Sequence, residues 1–353
     1  MIRSGARLSR ATGIQSWELG LDGRARSKET NMNSDFSSLR EPGTGAPLDH
    51  RNNELVGENQ TYPIVDGIPR FVSTQNYASD FGDQWNRFPK TQLDSYSGID
   101  LSESRLGRCF RGHLPQTKGK LVLEAGSGAG RFTEVFLKHG ATLHSFDMSR
   151  AVDANSANNS SSENLTLVQA SILDIPFEPA AYDYVMCLGV LQHTPSPEAS
   201  IVNLWKMVRP GGHLVVDHYI FRWRNILPPP IGGADKIYRW WLLRMPQERR
   251  FETVKRIVDF WFPLHWKRRN SKIAQRILRR LSPVHFYYPG LNLESEQAFY
   301  EWALLDTHDG TTDFYKHHRS AKQIRQFLAE LGAEDIVVTL GGNGVEAFCR
   351  KPG

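Results

Sequence analysis

The fold of this chain is decided by residues 121–130, which read LVLEAGSGAG. The first five of these residues predict a buried strand, and residues 131–139 show the pattern of a helix that Gly140 ends. Close-spaced glycines between a strand and a helix let a ligand approach backbone amides at the positive helix end. Asp147 ends the next predicted strand, 21 residues beyond Gly126, and can accept hydrogen bonds from ribose hydroxyls. This spacing admits either a nicotinamide dinucleotide or an adenosyl ligand.

Strands and helices alternate downstream of this stretch. Further strands are predicted at Thr142 to Phe146, Leu165 to Gln169, Tyr182 to Leu188 and His213 to Asp217, and helices at Ala151 to Ala157 and Glu198 to Val208. Pro210-Gly211-Gly212 is expected to stop the last of these helices. Strands that alternate with helices indicate a parallel sheet covered on both faces.

The carboxy terminus departs from this alternation. A helix predicted from Ala321 to Leu331 is followed by two apolar strands, Ile336 to Leu340 and Val345 to Cys349, with a glycine-rich turn between them. Two strands around such a turn form an antiparallel hairpin. We therefore expect an α/β fold whose doubly wound, seven-stranded, mostly parallel sheet ends in an antiparallel hairpin. That ending is unusual for nicotinamide-binding domains, which continue with further crossover units.

Several segments resemble class I S-adenosylmethionine-dependent methyltransferases and occur in that family's order. They are VLEAGSGAGRF at 122–132, FDMS at 146–149, QASILDIPF at 169–177, the stretch 182–214, and the final hairpin. The resemblance covers roughly residues 120–220 and 320–350. It implies S-adenosylmethionine as the cofactor and methyl transfer to an acceptor as the activity.

The resemblance implies roles for the glycine loop and the residue before it. The backbone amides of the loop would receive the methionine part of the cofactor, and Glu124 would help to hold its ammonium group. The loop residues concerned are Gly126, Ser127, Gly128 and Gly130.

The resemblance also implies contacts for the adenosyl part. Asp147 would take the ribose, Met148 would flank the adenine, and Leu188 would line the sulfonium. Ser171 stands where the family often has Asp or Asn, so the Ile172 amide could serve the adenine amino group instead.

The residues leave other roles open at three of these positions. Asp147 could cap the following helix through the amides of Ser149 or Arg150. Ser171 could be an ordinary loop hydroxyl, and Glu124 could bond only backbone amides.

Methyl transfer from a sulfonium is an in-line displacement, so alignment and exclusion of water can supply most of the catalysis. If the acceptor is a hydroxyl or an acidic carbon, His193 and then His218 are the candidate bases, although both could simply bond loop carbonyls. Residues 306–309 with His317 and His318 could line the mouth of the same site or bind a metal, but they lack a metal-ligand spacing. We assign no metal and predict a polar loop there.

The amino-terminal part divides into three predicted segments. Residues 1–40 are polar and aperiodic, which predicts a disordered lead-in, and Met32 could equally be the true start. Residues 41–75 predict a small β module of two tightly joined strands, which resembles zinc-ribbon-like modules without their paired cysteines. Residues 76–118 predict a helical lead-in over the cofactor site, where Trp85 closes over the cofactor or packs on the sheet edge.

Residues 221–317 predict a helical insertion that caps the site and selects the acceptor. Residues 221–285 contain 16 Lys/Arg and 4 Asp/Glu, a net charge of 16 − 4 = +12 in a chain of +5. This segment also holds five tryptophans, Trp223, Trp240, Trp241, Trp261 and Trp266. Ile273, Ile277 and Leu281 recur every fourth residue among arginines, which predicts amphipathic basic helices. This pattern is typical of helices that contact an anionic membrane or a phosphate-bearing acceptor. It is equally typical of a basic face that is exposed only to solvent.

Composition restricts the functional classes. No apolar run approaches the roughly 18 to 20 residues that span a bilayer, and the three cysteines form no C-x-x-C pair. We expect a cytoplasmic protein with a peripheral contact to anionic membrane, whose methyltransferase domain comprises residues 119–220 and 318–353. The sequence does not fix its oligomeric state.

The expected function is methyl transfer to a small-molecule, sugar or lipid-linked acceptor. The alternatives are an RNA methyltransferase, a non-catalytic S-adenosylmethionine-binding protein and a nicotinamide oxidoreductase. Nothing in the sequence resembles a known RNA-binding module, which disfavours nucleic acid as a partner.

Overall fold

The structure is a computed structural model that describes residues 36–73, 76–229 and 231–353, without the side chains of Arg224 and Asn225. The predicted lead-in up to residue 35, with Met32, lies outside the described residues. Residues 36–40, the last five of the predicted lead-in, are described, and they pack against the main domain. Leu39 is fully buried and forms a β-bridge with Phe177.

A small antiparallel sheet precedes the main domain. Its strands are β1 (Asp49–Arg51), β2 (Glu54–Val56), β3 (Thr61–Val65) and β4 (Ile68–Pro69), which pair in that order. The tight pair β3–β4 was predicted, and its turn has positive φ at both Asp66 and Gly67, as a two-residue hairpin turn requires. The Arg70 guanidinium joins this module to the main domain by an ion pair of 2.6 Å with Asp153.

Short helices connect this module to the main sheet. They are α1 (Ser79–Arg87), α2 (Asp94–Ser97) and α3 (Leu101–Cys109), followed by one 3-10 turn at Leu114–Thr117. The helical lead-in predicted for residues 76–118 is therefore present in the described chain.

Within the described residues, seven strands form the main sheet. They are β5 (Leu121–Ala125), β6 (Thr142–Asp147), β7 (Leu165–Gln169), β8 (Tyr182–Cys187), β9 (Val208–Tyr219), β10 (Glu334–Gly341) and β11 (Gly344–Arg350). Their order is β10-β11-β9-β8-β5-β6-β7, with β5 to β9 parallel and β11 antiparallel to both β9 and β10. The predicted fold class, including the terminal hairpin, is confirmed.

Helices cover both faces of this sheet because successive side chains of a strand point to opposite faces. They are α4 (Arg131–Lys138), α5 (Ala151–Asn159) and α6 (Pro197–Met207). Phe136 of α4 packs on the face that carries Val122, whereas Leu204 of α6 packs on the face that carries Leu123. Residues 210–212, predicted to stop α6, instead lie inside β9, where the pairing with β8 shifts register.

The insertion is helical, as predicted. It contains α7 (Trp223–Ile226), α8 (Asp235–Leu242), α9 (Gln247–Lys267), α10 (Lys272–Leu281) and α11 (Glu296–Thr312), and we call residues 221–317 the cap. The cap has its own apolar core, in which Val254 and Val258 of α9 lie against Phe299 and Ala303 of α11. No helix in the described part of the chain is both long enough and apolar enough to span a membrane.

The cap leaves and rejoins the main domain at one place. Phe221 donates a backbone hydrogen bond of 3.0 Å to Arg319, and Arg319 donates one of 2.9 Å to Tyr219. Helix α12 (Ala321–Glu330) then begins with a capping box formed by Ser320 and Gln323.

Candidate functional site

A cavity of about 1380 Å³ lies where the carboxyl ends of β5, β6 and β8 face the cap. Ligands of open α/β sheets bind at this edge. One wall is formed by the glycine loop, the end of β6 and the turn after β8, with α1 and α3 above them. The opposite wall is formed by α8, α10 and α11 with the segment 283–291.

The glycine loop is shaped by backbone requirements. Gly126 has φ +79°, and a Cβ there would lie 2.2 Å from Cγ2 of Val190. Gly128 has φ +54°, and the Trp85 indole lies against it, 3.4 Å from where a Cβ would be. Only glycine fits at Gly126 without displacing its neighbour, and Trp85 of α1 packs on the loop.

The loop amides are engaged by the chain itself. Those of Gly126 and Ser127 donate to the Phe146 carbonyl, at 2.7 and 3.1 Å, and that of Gly128 donates to Asp147 Oδ2 at 3.0 Å. The sequence led us to expect that these amides bind the ligand, but here they join β5 to β6. The two glycines leave this wall with only the small Ser127 side chain, so a ligand can approach the backbone closely.

Asp147 lies in the cavity wall at the end of β6. Its Oδ1 accepts hydrogen bonds from the Ser149 amide at 2.8 Å and hydroxyl at 2.7 Å, so the capping role left open by the sequence is present. Burial raises the pKa of Asp147, and the bonds from Ser149 and Gly128 oppose that rise. A carboxylate has about four lone-pair sites, and these bonds use three of them, so Asp147 can still accept from one ribose hydroxyl.

The other predicted cofactor contacts divide into two groups. Met148, Ile172 and Leu188 line the cavity together with Gly126, Ser127 and Gly128. Ser171 and Gly130 do not line it: the Ser171 hydroxyl accepts from the Leu173 amide at 3.1 Å. Gly130 is packed so closely that a Cβ would lie 2.3 Å from Asn155.

Glu124 also lies outside the cavity wall, behind the glycine loop. Its side chain is fully buried, and Oε2 accepts from the hydroxyls of Thr133 at 2.6 Å and Ser145 at 2.9 Å. Oε1 has no hydrogen-bond partner among the residues described. Burial raises the pKa of this carboxyl to about 7. Its hydrogen bonds with Thr133 and Ser145 join β5 to α4 and β6.

His193 lies in the cavity wall, in the turn after β8. Its Nδ1 lies 3.2 Å from the Tyr315 carbonyl and 3.3 Å from Asp313 Oδ2. Both neighbours accept hydrogen bonds, so Nδ1 carries the proton and Nε2 has the free electron pair in the neutral ring. Burial disfavours the charged ring, but the bond to Asp313 and the charge of Asp309 outweigh it and raise the pKa of His193.

Asp313 belongs to the cap and is fully buried at the end of α11. Its carboxylate accepts from Arg239 Nε at 2.7 Å and lies 3.2 Å from Lys316 Nζ. These two cations lower the pKa of Asp313 against the opposing effect of burial, together with His193. The sequence did not reveal this partner of His193, because the two meet only when the cap packs on the domain.

His218 lies elsewhere. It is buried in β9 opposite Val345 and does not line the cavity. Its Nδ1 bonds the Tyr219 carbonyl at 3.1 Å, and burial lowers the pKa of the ring to about 4. Because successive side chains of β9 point to opposite faces of the sheet, the next residue, Tyr219, lies in the cavity wall instead.

One further residue of the wall, with its buried partner, was not predicted from the sequence. Arg105 of α3 lines the cavity and is paired with Asp217 of β9, whose other oxygen accepts from the Gly189 amide at 2.6 Å. The only sequence signal was an aspartate near the end of a strand, and Arg105 lies 112 residues from it in the chain.

The polar loop predicted at residues 306–309 is wrong. These residues belong to α11, on the same side as Trp302, whose Nε1 donates to Asp306 Oδ2 at 3.2 Å, and the burial of Phe299 and Ala303 in the cap core favours the helix. Asp306 and Asp309 line the cavity, and burial with the neighbouring Asp309 raises the pKa of Asp306 to about 7. No group of three or more His, Cys, Asp or Glu in the described chain is placed to hold a metal.

Comparison with known proteins adds to this geometry. Residues 123–216 match the family model described as a methyltransferase domain. This segment is a methyltransferase domain. Its cofactor is S-adenosylmethionine, as the sequence implied, and the match decides against a nicotinamide oxidoreductase.

Relatives of the methyltransferase domain carry the description ubiquinone biosynthesis O-methyltransferase. One from Coxiella burnetii is 33% identical over 99 residues, which are 28% of this chain and 42% of the relative. One from Vibrio parahaemolyticus is 36% identical over 131 residues, which are 34% and 52%. The chain thus spans about half the length of the curated relatives it matches.

Solved structures similar to this chain include magnesium protoporphyrin IX methyltransferase from Synechocystis with bound SAH. It is 15% identical, with a TM-score of 0.40, and the match covers 78% of this chain and 95% of that one.

The residues of the methyltransferase domain's cavity wall fit this cofactor. The loop at 126–128, in which Ser127 alone has a side chain, admits close approach, and Asp147 beside it can accept from a ribose hydroxyl. Phe146, Ile172 and Leu188 give the same wall an apolar surface of the kind that an adenine ring needs.

Proposed function

We propose that this chain methylates a hydroxyl group of a small-molecule, sugar or lipid-linked acceptor bound on the cap side of the cavity. The observation that carries the proposal is His193, which shares one cavity with Gly126, Asp147 and Leu188. The printed name of the relatives, O-methyltransferase, supports oxygen as the acceptor atom.

The cofactor side of the site acts by position. Asp147 accepts from a ribose hydroxyl, Met148 and Ile172 flank the adenine, and Leu188 lies beside the reacting centre. Trp85 closes the loop side and Arg105 the α3 side, which excludes water. When bound, S-adenosylmethionine supplies an electrophilic methyl group.

The acceptor side of the site supplies a base. His193 Nε2 takes the proton of the acceptor hydroxyl while that oxygen gains the methyl group. Asp313 is a positioning residue: the Tyr315 carbonyl accepts the Nδ1–H of His193, and the Asp313 carboxylate 3.3 Å from Nδ1 stabilises the imidazolium. General-base help of this kind is worth about 10²–10⁴-fold in rate.

Two finer expectations from the sequence stay proposals. We retain a cytoplasmic protein that contacts anionic membrane peripherally. We also retain the relationship of residues 41–75 to zinc-ribbon-like modules, in a form that supports the domain edge through Arg70 and not through a metal.

The test has two steps. Calorimetry with S-adenosylhomocysteine on the wild type and Asp147→Asn examines the cofactor site, and the wild type should bind. Incubation of a cell extract with methyl-labelled S-adenosylmethionine and the protein, followed by mass spectrometry, should then reveal a metabolite that has gained the label.

Matched histidine variants assign the base. His193→Gln should bind S-adenosylhomocysteine like the wild type and lose labelled product, whereas His218→Gln should keep its product if its melting temperature is normal. Binding without any labelled product would make the chain a non-catalytic cofactor-binding protein, and label found in RNA alone would make it an RNA methyltransferase.

A further inference from the structure

Helix α10 presents its apolar side to solvent. The side chains of Ile273, Ile277 and Leu281 are 71%, 55% and 56% exposed, although they lie on one stripe of the helix. The side toward the protein carries Gln275, which is buried and bonds His265 of α9. A helix of a globular protein ordinarily has the opposite arrangement.

The basic residues of α10 flank this stripe and reach the cavity. Lys272, Arg276, Arg279 and Arg280 all line the cavity, and none forms an ion pair with another described residue. Residues 267–281 contain seven Lys or Arg and no Asp or Glu. Helix α10 therefore brings four cations without an acidic neighbour on the same helix to the edge of the cavity.

Two other cap helices also carry exposed aromatic side chains. Trp240 and Trp241 of α8 are 60% and 45% exposed, and Phe260 of α9 is 65% exposed. Helix α9 reaches α10 through His265, and the loop before α8 reaches it at Gly233, close to the Arg279 carbonyl. We call Ile273, Ile277 and Leu281 with Trp240 and Trp241 the apolar surface of the cap.

We propose that α10 and the apolar surface of the cap bind an anionic lipid bilayer, with the apolar side chains in the acyl region and the cations at the phosphates. The arrangement fits a bilayer because tryptophans and aliphatic side chains enter the interface while Lys and Arg pair with anionic headgroups. A second copy of this chain would bring two positive surfaces together. Nucleic acid would leave the apolar stripe without a partner.

The docking places the cavity mouth at the bilayer surface. A lipid-linked acceptor would then reach His193 without leaving the membrane entirely, and its phosphate would pass the cations of α10. The docking itself does not depend on methyl transfer, so it is measured without cofactor or acceptor.

The experiment is sedimentation of the full chain with vesicles of phosphatidylcholine alone and of phosphatidylcholine with roughly 30% phosphatidylglycerol. The wild type should bind the second kind and not the first, and raising the salt from about 0.05 to about 0.5 M should weaken that binding. Ile273→Asp/Ile277→Asp should lower the partition coefficient about tenfold or more. Arg276→Gln/Arg279→Gln should weaken it as well.

Each variant has a matched control. Leu340→Asp changes a 58% exposed side chain on the terminal hairpin, and Lys322→Gln/Arg325→Gln removes two exposed cations from α12. Both should bind vesicles like the wild type. Ile273→Asp/Ile277→Asp and both control variants, none of which changes a residue of the cavity wall, should keep the wild-type affinity for S-adenosylhomocysteine, which separates a failure of docking from a failure of the cofactor site.

Three results would overturn the proposal. The first is no binding of the wild type to anionic vesicles at low salt. The second is an Ile273→Asp/Ile277→Asp variant that binds like the wild type, or that instead converts a dimer to a monomer in sedimentation velocity. The third is tight RNA binding that persists in this variant while vesicles fail to bind.

Discussion

The two walls of the cavity are stabilised by different interactions. The wall of the methyltransferase domain is built from backbone: Gly126 and Gly128 with positive φ, and amides bonded across β5 and β6. The wall of the cap is built from charged side chains, among them Asp306, Asp309 and the cations of α10. Backbone geometry leaves a signature in the local sequence, whereas charge pairs across the cavity do not. The comparison also suggests that the first wall serves a constant cofactor and the second a particular acceptor.

The largest effect is expected from Gly126→Ala. The new Cβ would overlap Val190 and occupy a positive φ, so the free energy of unfolding should fall by about 2–4 kcal/mol. Binding of S-adenosylhomocysteine should be lost with it. Thermal unfolding and calorimetry measure both, and Gly107→Ala, which meets nothing within 4 Å in α3, should leave both nearly unchanged. If the two variants behaved alike, the backbone geometry at Gly126 would not be what shapes this wall.

Asp147→Asn tests whether charge contributes to the same wall. The amide oxygen can still accept from Ser149, but the NH2 group that replaces Oδ2 cannot accept from the Gly128 amide, and the ionic hydrogen bond to a ribose hydroxyl is lost. The affinity for S-adenosylhomocysteine should fall about 10- to 100-fold, since a hydrogen bond to a charged group is worth roughly 1.5–3 kcal/mol. Ser171→Ala, outside the cavity wall, is the control and should bind normally; an unchanged Asp147→Asn would exclude the ribose role.

Glu124→Gln probes the layer behind the loop. The folded carboxyl has a pKa of about 7 against an ordinary 4.5, so the native state holds a proton that the unfolded chain releases. Wild-type stability should therefore decline as the pH rises from about 4.5 to about 7, and the variant lacks this decline. Relative to the wild type, the variant should gain about 2 kcal/mol between pH 5 and pH 8. Denaturant unfolding at both pH values checks this, and a parallel pair of curves would contradict it.

Asp313→Asn tests the contact between the cap and His193, and its readout is the pH dependence of the reaction. The wild-type pKa of His193 is raised by Asp313, so the free base forms only above the ordinary range. Removing the charge, with Arg239 and Lys316 left beside the ring, should lower that pKa and move the rise of the rate to lower pH. Histidine NMR titration measures the pKa directly, with the His193→Gln spectrum for assignment. A resonance that titrates unchanged would show that the cap does not tune the base.

Much of the fold could be predicted because the main sheet is periodic. Leu165–Gln169 was predicted to the residue, and the hairpin at 334–350 was apparent from its glycines. The strands β1 and β2 were missed because Asp49–Arg51 is polar and exposed throughout. The helix over 306–309 was missed because its cavity side is acidic, and only the tertiary burial of Phe299 and Trp302 fixes it.

The residues of the candidate site also divide into those that local sequence predicts and those that only tertiary packing places. Asp147, Met148 and Leu188 were found because parallel strands bring their carboxyl ends to one edge, so a position in the strand gives a position in space. The contacts of His193 with Asp313 and of Arg105 with Asp217 were not found, because each joins parts of the chain that are distant in sequence. No local pattern encodes where the cap packs.

The junction at Tyr219, Phe221 and Arg319 has an evolutionary consequence. Backbone hydrogen bonds join the two ends of the cap, so the whole segment leaves the edge of the catalytic unit and returns to it at the same place. Such a segment can be exchanged, lengthened or replaced by a short turn without altering how the strands connect. Natural variants of this architecture can therefore diversify their chemistry by grafting new lids onto one unchanged cofactor platform.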